Sequence, residues 1–491
     1  MSTPREPDHR SRLVPYACLC ALVAACVGPN FKRPAAPPVT RYTSGELPTQ
    51  TASSEGAGGA AQKFLTDADV PRNWWTQFGS AELNELVMQA LRANPQVLSA
   101  QAALRQAQEN TAAQRGSYFP LAQGSFDATR NRDPTGVLQP TLASGTTVYN
   151  LYTPQVTVSY TPDIFGANRR QVESLAAQAE AQRFQLDATY LTLTANVVTA
   201  AIQDAGLRAQ IAATQRVIAL EQQSLDVLNK ELELGAVAGA DVYAMEAALA
   251  QLQATLPPLN RQLETTRDQL AVLIGRVPAD YQPLTLQLDR IALPENLPIG
   301  VPSQLVERRP DVRAAEAQLH AATANVGVAI ADLLPQITIS GDIGSTASLM
   351  SELFKAGTGF WNLGANGTLT LLDGGAGYHH VRAADAALDQ AGADYKSAVL
   401  TAFQNVADAL HALDTDAQAL EAASRAENAA QKSLGVTRRQ LELGSVSYVS
   451  LLLGQQAYEQ ALIARIQARA NRLQDTAALF QALGGSIAPP R

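Results

Sequence analysis

Leu232-Glu233-Leu234-Gly235 returns as Leu441-Glu442-Leu443-Gly444, an offset of 209 residues. Upstream, Asn94-Pro95 is echoed by Arg309-Pro310, and Tyr118-Phe119-Pro120 by Leu333-Leu334-Pro335, both at an offset of 215. Marks that recur in the same order at nearly constant spacing identify an internal duplication. The drop from 215 to 209 predicts a shorter loop in the second copy. Each half then reads helix, two strands, long helix, turn, returning helix.

The helices repeat every 3.5 residues. Alternating steps of four and three from Leu186 reach Tyr190, Leu193, Val197, Ala200, Asp204, Leu207, Ile211, Thr214, Ile218, Glu221, Leu225, Leu228 and Leu232. Eleven of these fourteen positions are apolar, which is a sustained heptad seam. The returning segment keeps the spacing through Leu249, Leu252, Leu256, Leu259, Leu263, Thr266, Leu270 and Leu273, and the second half through Val399, Phe403, Val406, Leu410, Leu413, Ala417 and Leu420. A helix from Ala167 to Leu234 would be about 100 Å long at 1.5 Å per residue, which suits a rod or a tall barrel wall rather than a globular core. Pro257-Pro258 interrupts the first returning helix. Because the register continues across it, a kink within one helix is expected.

Four segments alternate as strands do: Leu121 to Arg130, Pro154 to Tyr160, Ile337 to Ile343 and Leu363 to Leu371. Strands of about ten residues with one apolar face suit a membrane β-barrel. Four strands cannot close one, since the smallest barrels have about eight, and an open edge in lipid strands backbone N–H and C=O groups. Chains must therefore pool their strands: two copies give eight, three give twelve.

The start of the chain reads as an export signal. Arg5, Arg10 and Arg12 precede an apolar run, Leu13 to Ala25, too short to span a bilayer. It ends in Val23-Ala24-Ala25-Cys26, which resembles a bacterial lipobox. The expectation is cleavage before Cys26, a covalent lipid on its sulfur, and outer-membrane sorting because Val27 and not an aspartate follows. The other two cysteines, Cys18 and Cys20, would leave with the signal, so no disulfide or cysteine metal site is expected in the body. The expected divisions are a signal peptide, 1–25; a lipidated, extended linker, 26–72; a first repeat, 73–288; a join with three prolines in residues 289–302; a second repeat, 303–485; and a tail, 486–491.

Chemistry is sparse elsewhere. The net charge of −8 and the lack of a basic block argue against a nucleic-acid partner. No zinc-protease spacing, P-loop lysine or dinucleotide fingerprint occurs. His379-His380 follows Gly374, Gly375 and Gly377, which reads as a strand-to-helix turn rather than a phosphate cradle or metal pair. Asp414 and Asp416 read as solvated charges rather than a catalytic pair. No enzyme activity and no cofactor beyond the lipid are expected.

Several motifs resemble one family, in order and from about Cys26 to Gly485. Cys26-Val-Gly-Pro-Asn-Phe-Lys-Arg-Pro34 resembles the mature start of outer-membrane factor lipoproteins. Asn73-Trp-Trp-Thr-Gln-Phe-Gly79 with Ala93-Asn94-Pro95, Glu307-Arg-Arg-Pro-Asp-Val-Arg-Ala-Ala-Glu316 and Leu371-Leu-Asp-Gly-Gly375 are similar to further family motifs. The family is the TolC-like outer membrane factors, NodT subfamily, of RND-type tripartite efflux systems. The resemblance implies a fold that is mainly α with a membrane β-barrel: a homotrimer with a twelve-stranded barrel on a long periplasmic α-helical barrel. It implies a passive export duct for drugs or other small molecules, whose closed periplasmic end opens when a periplasmic adaptor protein and an inner-membrane transporter engage it. Outer-membrane lipid is the remaining partner. Gly235, Asp241, Gly444 and Ser450 are the tip and gate candidates it points to. The family commonly places an arginine four residues before the tip glycine, where this chain has Glu231 and Gln440, with Lys230 and Arg439 one step earlier. Ser450 stands where a second tip aspartate would match Asp241, so a closing aspartate ring is not carried over. The alternatives are a duct for protein or oligosaccharide secretion and a lipid-tethered coiled-coil spacer without a channel.

Overall fold

The computed structural model describes residues 27–66, 68–132 and 148–484. Its helices are α1 (Ala81–Ala93), α2 (Pro95–Arg115), α3 (Ala167–Glu233), α4 (Gly239–Ala254), α5 (Leu256–Leu273), α6 (Pro302–Arg308), α7 (Pro310–Ala331), α8 (Ala376–Glu442) and α9 (Tyr448–Ala482). Its strands are β1 (Lys63–Leu65), β2 (Leu121–Arg132), β3 (Val148–Tyr160), β4 (Asn296–Pro298), β5 (Gln336–Ser345) and β6 (Gly359–Thr368). The element order therefore repeats: a stepped helix pair, a strand pair, a 67-residue helix and a returning limb.

The heptad seam of α3 is where burial falls. Tyr190, Leu193, Val197, Ala200, Leu207, Ile211, Leu225 and Leu228 are buried, and so are the polar members Asp204, Thr214 and Glu221. Register alone thus carried polar side chains into the core.

Residues cluster into two units, and each repeat contributes to both. One takes the described residues of 1–33, 105–181 and 316–394; the other takes those of 34–104, 182–315 and 395–491. The first unit holds an antiparallel sheet in the order β2-β3-β5-β6. The second holds a small core in which Trp74 stacks on Phe480 at 5.3 Å, with Phe78 and Leu83 also buried. Ser80 caps α1 by accepting from the Leu83 N–H at 3.2 Å.

The two repeats share a clamp. Before each helix-step proline, the polar residue ends one helix in an extended conformation and reaches the last residue of its own returning limb. Asn94 donates to the Leu273 carbonyl at 2.9 Å, and Arg309 donates to the Ala482 carbonyl at 3.0 Å. These carbonyls are orphaned by helix termination. Gly275 (φ 73°) and Gly484 (φ 71°) follow the two ends, and a Cβ there would strike Ala93 O at 2.4 Å or Arg309 Cγ at 2.7 Å. Glycine is required at both for that close approach.

One expectation is sharpened and three are corrected. At Pro257-Pro258 the expected kink is a one-residue interruption: α4 ends at Ala254 and α5 starts at Leu256, and Thr255 between them keeps a helical backbone, φ −77° and ψ −23°. Neither proline can donate to the carbonyls of 253 and 254, and Thr255 turns its hydroxyl to the Leu252 carbonyl at 2.7 Å. The last strand runs from Gly359 to Thr368, which leaves Leu369 and Leu371 beyond its end. The second copy is shorter mainly in its strands, which have 10 and 10 residues against 12 and 13 in the first. The linker is not merely extended chain. Thr51 and Gln62 are buried, and β1 pairs in parallel with β4 of the inter-repeat join. Arg472 of α9 organises this strap, donating to Gly58 O, Ala60 O, Thr51 Oγ1 and Gln62 Oε1 at 2.9–3.2 Å.

Candidate functional site

Three places bear on function: the sheet, the start of the linker and the hairpin tips. In the sheet, pairing puts Phe126, Val156, Val158, Ile343, Trp361 and Leu363 on one face, all of them exposed. The opposite face carries Gln123, Ser125, Asp127, Thr157, Asp342 and Asn366. Thr157 donates to Asp342 at 2.6 Å across it. Leu121, Leu151 and Phe360 interrupt that polar face toward strand ends. Among the described residues β2 and β6 each have one neighbour, so two edges present unpaired backbone groups. No described helix is long and apolar enough to cross a membrane.

Cys26 lies outside the described residues, but the chain that follows it is held. Arg170 on α3 donates to Val27 O at 3.2 Å and to Asn30 Oδ1 at 2.6 Å. Phe31 stacks on His320 of α7 at 4.4 Å, and Arg33 pairs with Glu316 at 3.0 Å. Gly28 crosses Gly327 so closely that a Cβ would lie 2.5 Å from its Cα. Glu173 accepts from Arg170 at 2.7 Å and meets His320 Nε2 at 2.9 Å. Burial pushes the Glu173 carboxyl up, but bonds from His320 and Arg170 outweigh it and hold the group below the usual carboxylate range.

At the tips, Gly235 and Gly444 take left-handed backbones, φ 74° and 72°. Ala236 N–H donates to Glu231 O and Gly235 N–H to Leu232 O, at 2.8 and 2.9 Å. Ser445 and Gly444 make the equivalent bonds to Gln440 and Leu441 at the same lengths. Both are Schellman turns, which glycine permits without strain. Asp241 and Ser450 occupy the third position of α4 and α9. An acid in that first turn faces the positive end of the helix dipole; the serine instead lies 3.3 Å from Ser447 Oγ. Leu234 and Leu443 are 84% and 81% exposed. Beneath the turns, Leu225, Leu228, Val242, Met245, Leu249 and Leu452 form one apolar cluster on which Tyr448 packs.

Sequence reasoning named Glu231 but missed its partner. The Tyr448 hydroxyl meets the Glu231 carboxylate, and burial together with that acid pushes the phenol up to about 12. Tyr448 is the first residue of α9 and has no periodic signal of its own. His379 and His380 are exposed in the first turn of α8. Asp373 caps that turn through Gly375 N–H and Gly377 N–H at 2.8 and 2.6 Å. No group of three or more His, Cys, Asp or Glu suited to a metal occurs among the described residues. Asp416 is not a solvated charge: it turns to Asp475, and burial and that second acid push it up to about 7.

Comparison with known proteins agrees with this geometry. The family model for outer membrane efflux proteins matches residues 86–276 and 301–485. The pyoverdine export outer membrane protein OpmQ of Pseudomonas aeruginosa is 28% identical over 426 residues, covering 86% of this chain and 88% of that one. The toluene efflux pump outer membrane protein TtgF of Pseudomonas putida is 28% identical over 490 residues, covering 97% of each. The solved outer-membrane channel OprN superposes with a TM-score of 0.83 at 28% identity, covering 94% of this chain and 99% of that one.

Proposed function

The chain belongs to the outer membrane efflux protein family and is an outer-membrane efflux channel, and from that premise we propose that three copies, each lipidated at Cys26, close one passive duct for small organic molecules. The observation that carries this is the four-stranded sheet with an apolar face, a polar face and two free edges. Its edge strands β2 and β6 run antiparallel, so β6 of one copy can pair with β2 of the next. Repeating that contact by rotation closes a ring. Two copies would give eight strands, whose interior side chains fill. Three give twelve and leave a lumen lined by the polar face.

The held segment Val27–Arg33 supports an anchor at Cys26, because it fixes the chain directly after the cysteine. The exposed Leu234 and Leu443 offer apolar contacts at the tips, where a periplasmic adaptor linked to an inner-membrane pump would dock. With this docking, Gly235, Asp241, Gly444 and Ser450 form the gate. Cargo is the least constrained point: OpmQ and TtgF are named for different exports at equal identity to this chain.

The test is made on the purified full-length protein. Chemical crosslinking should give a ladder that ends at three, and the oligomer should conduct steadily in planar bilayers. A ladder ending at two, or an intact oligomer without conductance, would sink the reading. In the same preparation Cys26→Ser should lose incorporation of labelled fatty acid.

A further inference from the structure

Above the tips, α3 and α9 meet in layers. Tyr448 and Glu231 join the two helices nearest the turns, and Leu452 packs with Leu225 and Leu228 next. The following layer brings Glu221 of α3 to Glu459 of α9. Glu221 is 1% exposed, and its Oε2 has no hydrogen-bond partner. Gln455, one turn before Glu459 on α9, is 4% exposed, and its Oε1 also lacks a donor. Glu459 itself stays partly exposed. The duplication does not demand acids here, since the equivalent positions at the offset of 209 are Ala430 and Ala250.

No cation neutralises the pair among the described residues. On α3, Arg216 donates to Ala212 O and Asp226 accepts from the Gln222 amide. On α9, Arg465 pairs with Glu427 of α8. Lys432 of α8 and Glu246 of α4 are exposed, and α4 enters this region through Met245, Ala248 and Leu249. Ionised carboxylates and an amide oxygen can only accept, and buried acceptors are ordinarily given a donor. A proton on one of the two acids supplies it. Burial, reinforced by Glu459, pushes the Glu221 carboxyl up to about 7, and burial raises that of Glu459.

We propose that a proton held between Glu221 and Glu459 is a latch: it fastens α9 to α3 above the tips, and its loss lets the α9 limb part from α3 at that layer. Packed helices hold the proton more tightly than parted ones, because parting returns both acids to water, so a rising pH favours parting. The latch lies within one chain and one unit. Its consequence, that acid on the tip side keeps the duct shut, rests on the reading of the tips as a gate.

The test follows amide hydrogen exchange along α9 in the full-length oligomer in zwitterionic nanodiscs, with rates corrected for the intrinsic effect of pH. Parting exposes α9 to local opening. In residues 449–462 protection should therefore fall about tenfold from pH 6 to pH 8, as a carboxyl near 7 when packed and at its ordinary 4.5 when parted requires. Glu221→Gln, which keeps the shape of the protonated acid, should remove most of that fall. Asp416→Leu, which removes another acid titrating near 7, should leave it intact. If Glu221→Gln does not assemble, Glu221→Ala decides, because it copies the residue of position 430. Protection that stays level from pH 6 to 8 in the wild type, a full fall that survives in the Glu221 variant, or a fall abolished by Asp416→Leu would overturn the latch. Exchange needs neither conductance nor a count of three, so its failure is distinct from a failure of the channel reading.

Discussion

The long helices α3 and α8 are copies of equal length, related by an offset of 209 from their first residues to their last, yet they bury their acids one turn apart. Asp204 of α3 aligns with Leu413 of α8, and Leu207 aligns with Asp416. Asp204 and Leu413 are both fully buried. Asp204 is held by Arg208 at 2.7 Å and Arg267 at 3.4 Å. Asp416 faces another acid, Asp475, with Arg472 acting on it through space. The duplication preserved helix length, turn geometry and the terminal clamps, while each seam acquired its own electrostatics. One acid is ion-paired; the other faces a second acid, which together with burial raises its pKa.

The largest expected effect comes from making the first half resemble the second. Asp204→Leu places the residue of position 413 at 204 but leaves Arg208 and Arg267 without their buried partner. It should cost about 3–5 kcal/mol in a denaturant titration at pH 7. A loss below about 1 kcal/mol would mean that the arginines relax into solvent and that the two seams are interchangeable.

The clamps give the next effect. Arg309→Ala removes a buried guanidinium that holds Ala482 O and Asp311, the latter at 2.6 and 3.0 Å. It should cost about 2–4 kcal/mol. Asn94→Ala loses the bond to Leu273 O and the one accepted from Gln96 N–H at 2.8 Å, for about 1–2 kcal/mol. Equal losses at the two positions would break the asymmetry.

The smallest effect depends on pH. Asp416 has a raised pKa, about 7 against 3.8. Below pH 4 its carboxyl is protonated in both folded and unfolded chains. Between pH 4 and 7 the unfolded chain loses that proton first, so stability falls as pH rises and the loss is complete near pH 8. Asp416→Leu, which copies position 207, should reduce that slope, to which Glu221, pushed up to about 7 by burial and by Glu459, also contributes, and should stabilise the protein at pH 8 by about 2 kcal/mol, allowing for partial exposure. A wild-type stability that stays flat from pH 4 to 8 would show that Asp475 and burial do not hold a proton on Asp416.

What was legible in the sequence was whatever repeats locally. The 3.5-residue period located α3 to within a residue of its end and placed even Asp204, Thr214 and Glu221 correctly on the seam. Glycine at the tips marked two turns of one type. The double proline marked a disturbance, and the helical backbone of Thr255 between the two segments makes it a kink. The strap was illegible because its burial is supplied by Arg472, more than 400 positions away, while its own composition reads as linker. The partner of Glu231 was hidden for the same reason, since Tyr448 reaches it from the other hairpin. Leu369 and Leu371 continue the strand's alternation past the point where pairing stops, and alternation alone cannot reveal that.

The free edges of β2 and β6 also have a consequence for inheritance. A subunit with a damaged edge does not simply drop out: it takes a place in the proposed ring and leaves the seam on one side unsealed. Such an allele would act dominantly, disabling intact copies made in the same cell, whereas an allele that never folds would be silent beside a good one. Proline substitutions along β6 and deletions of the whole chain should therefore sort into opposite genetic classes.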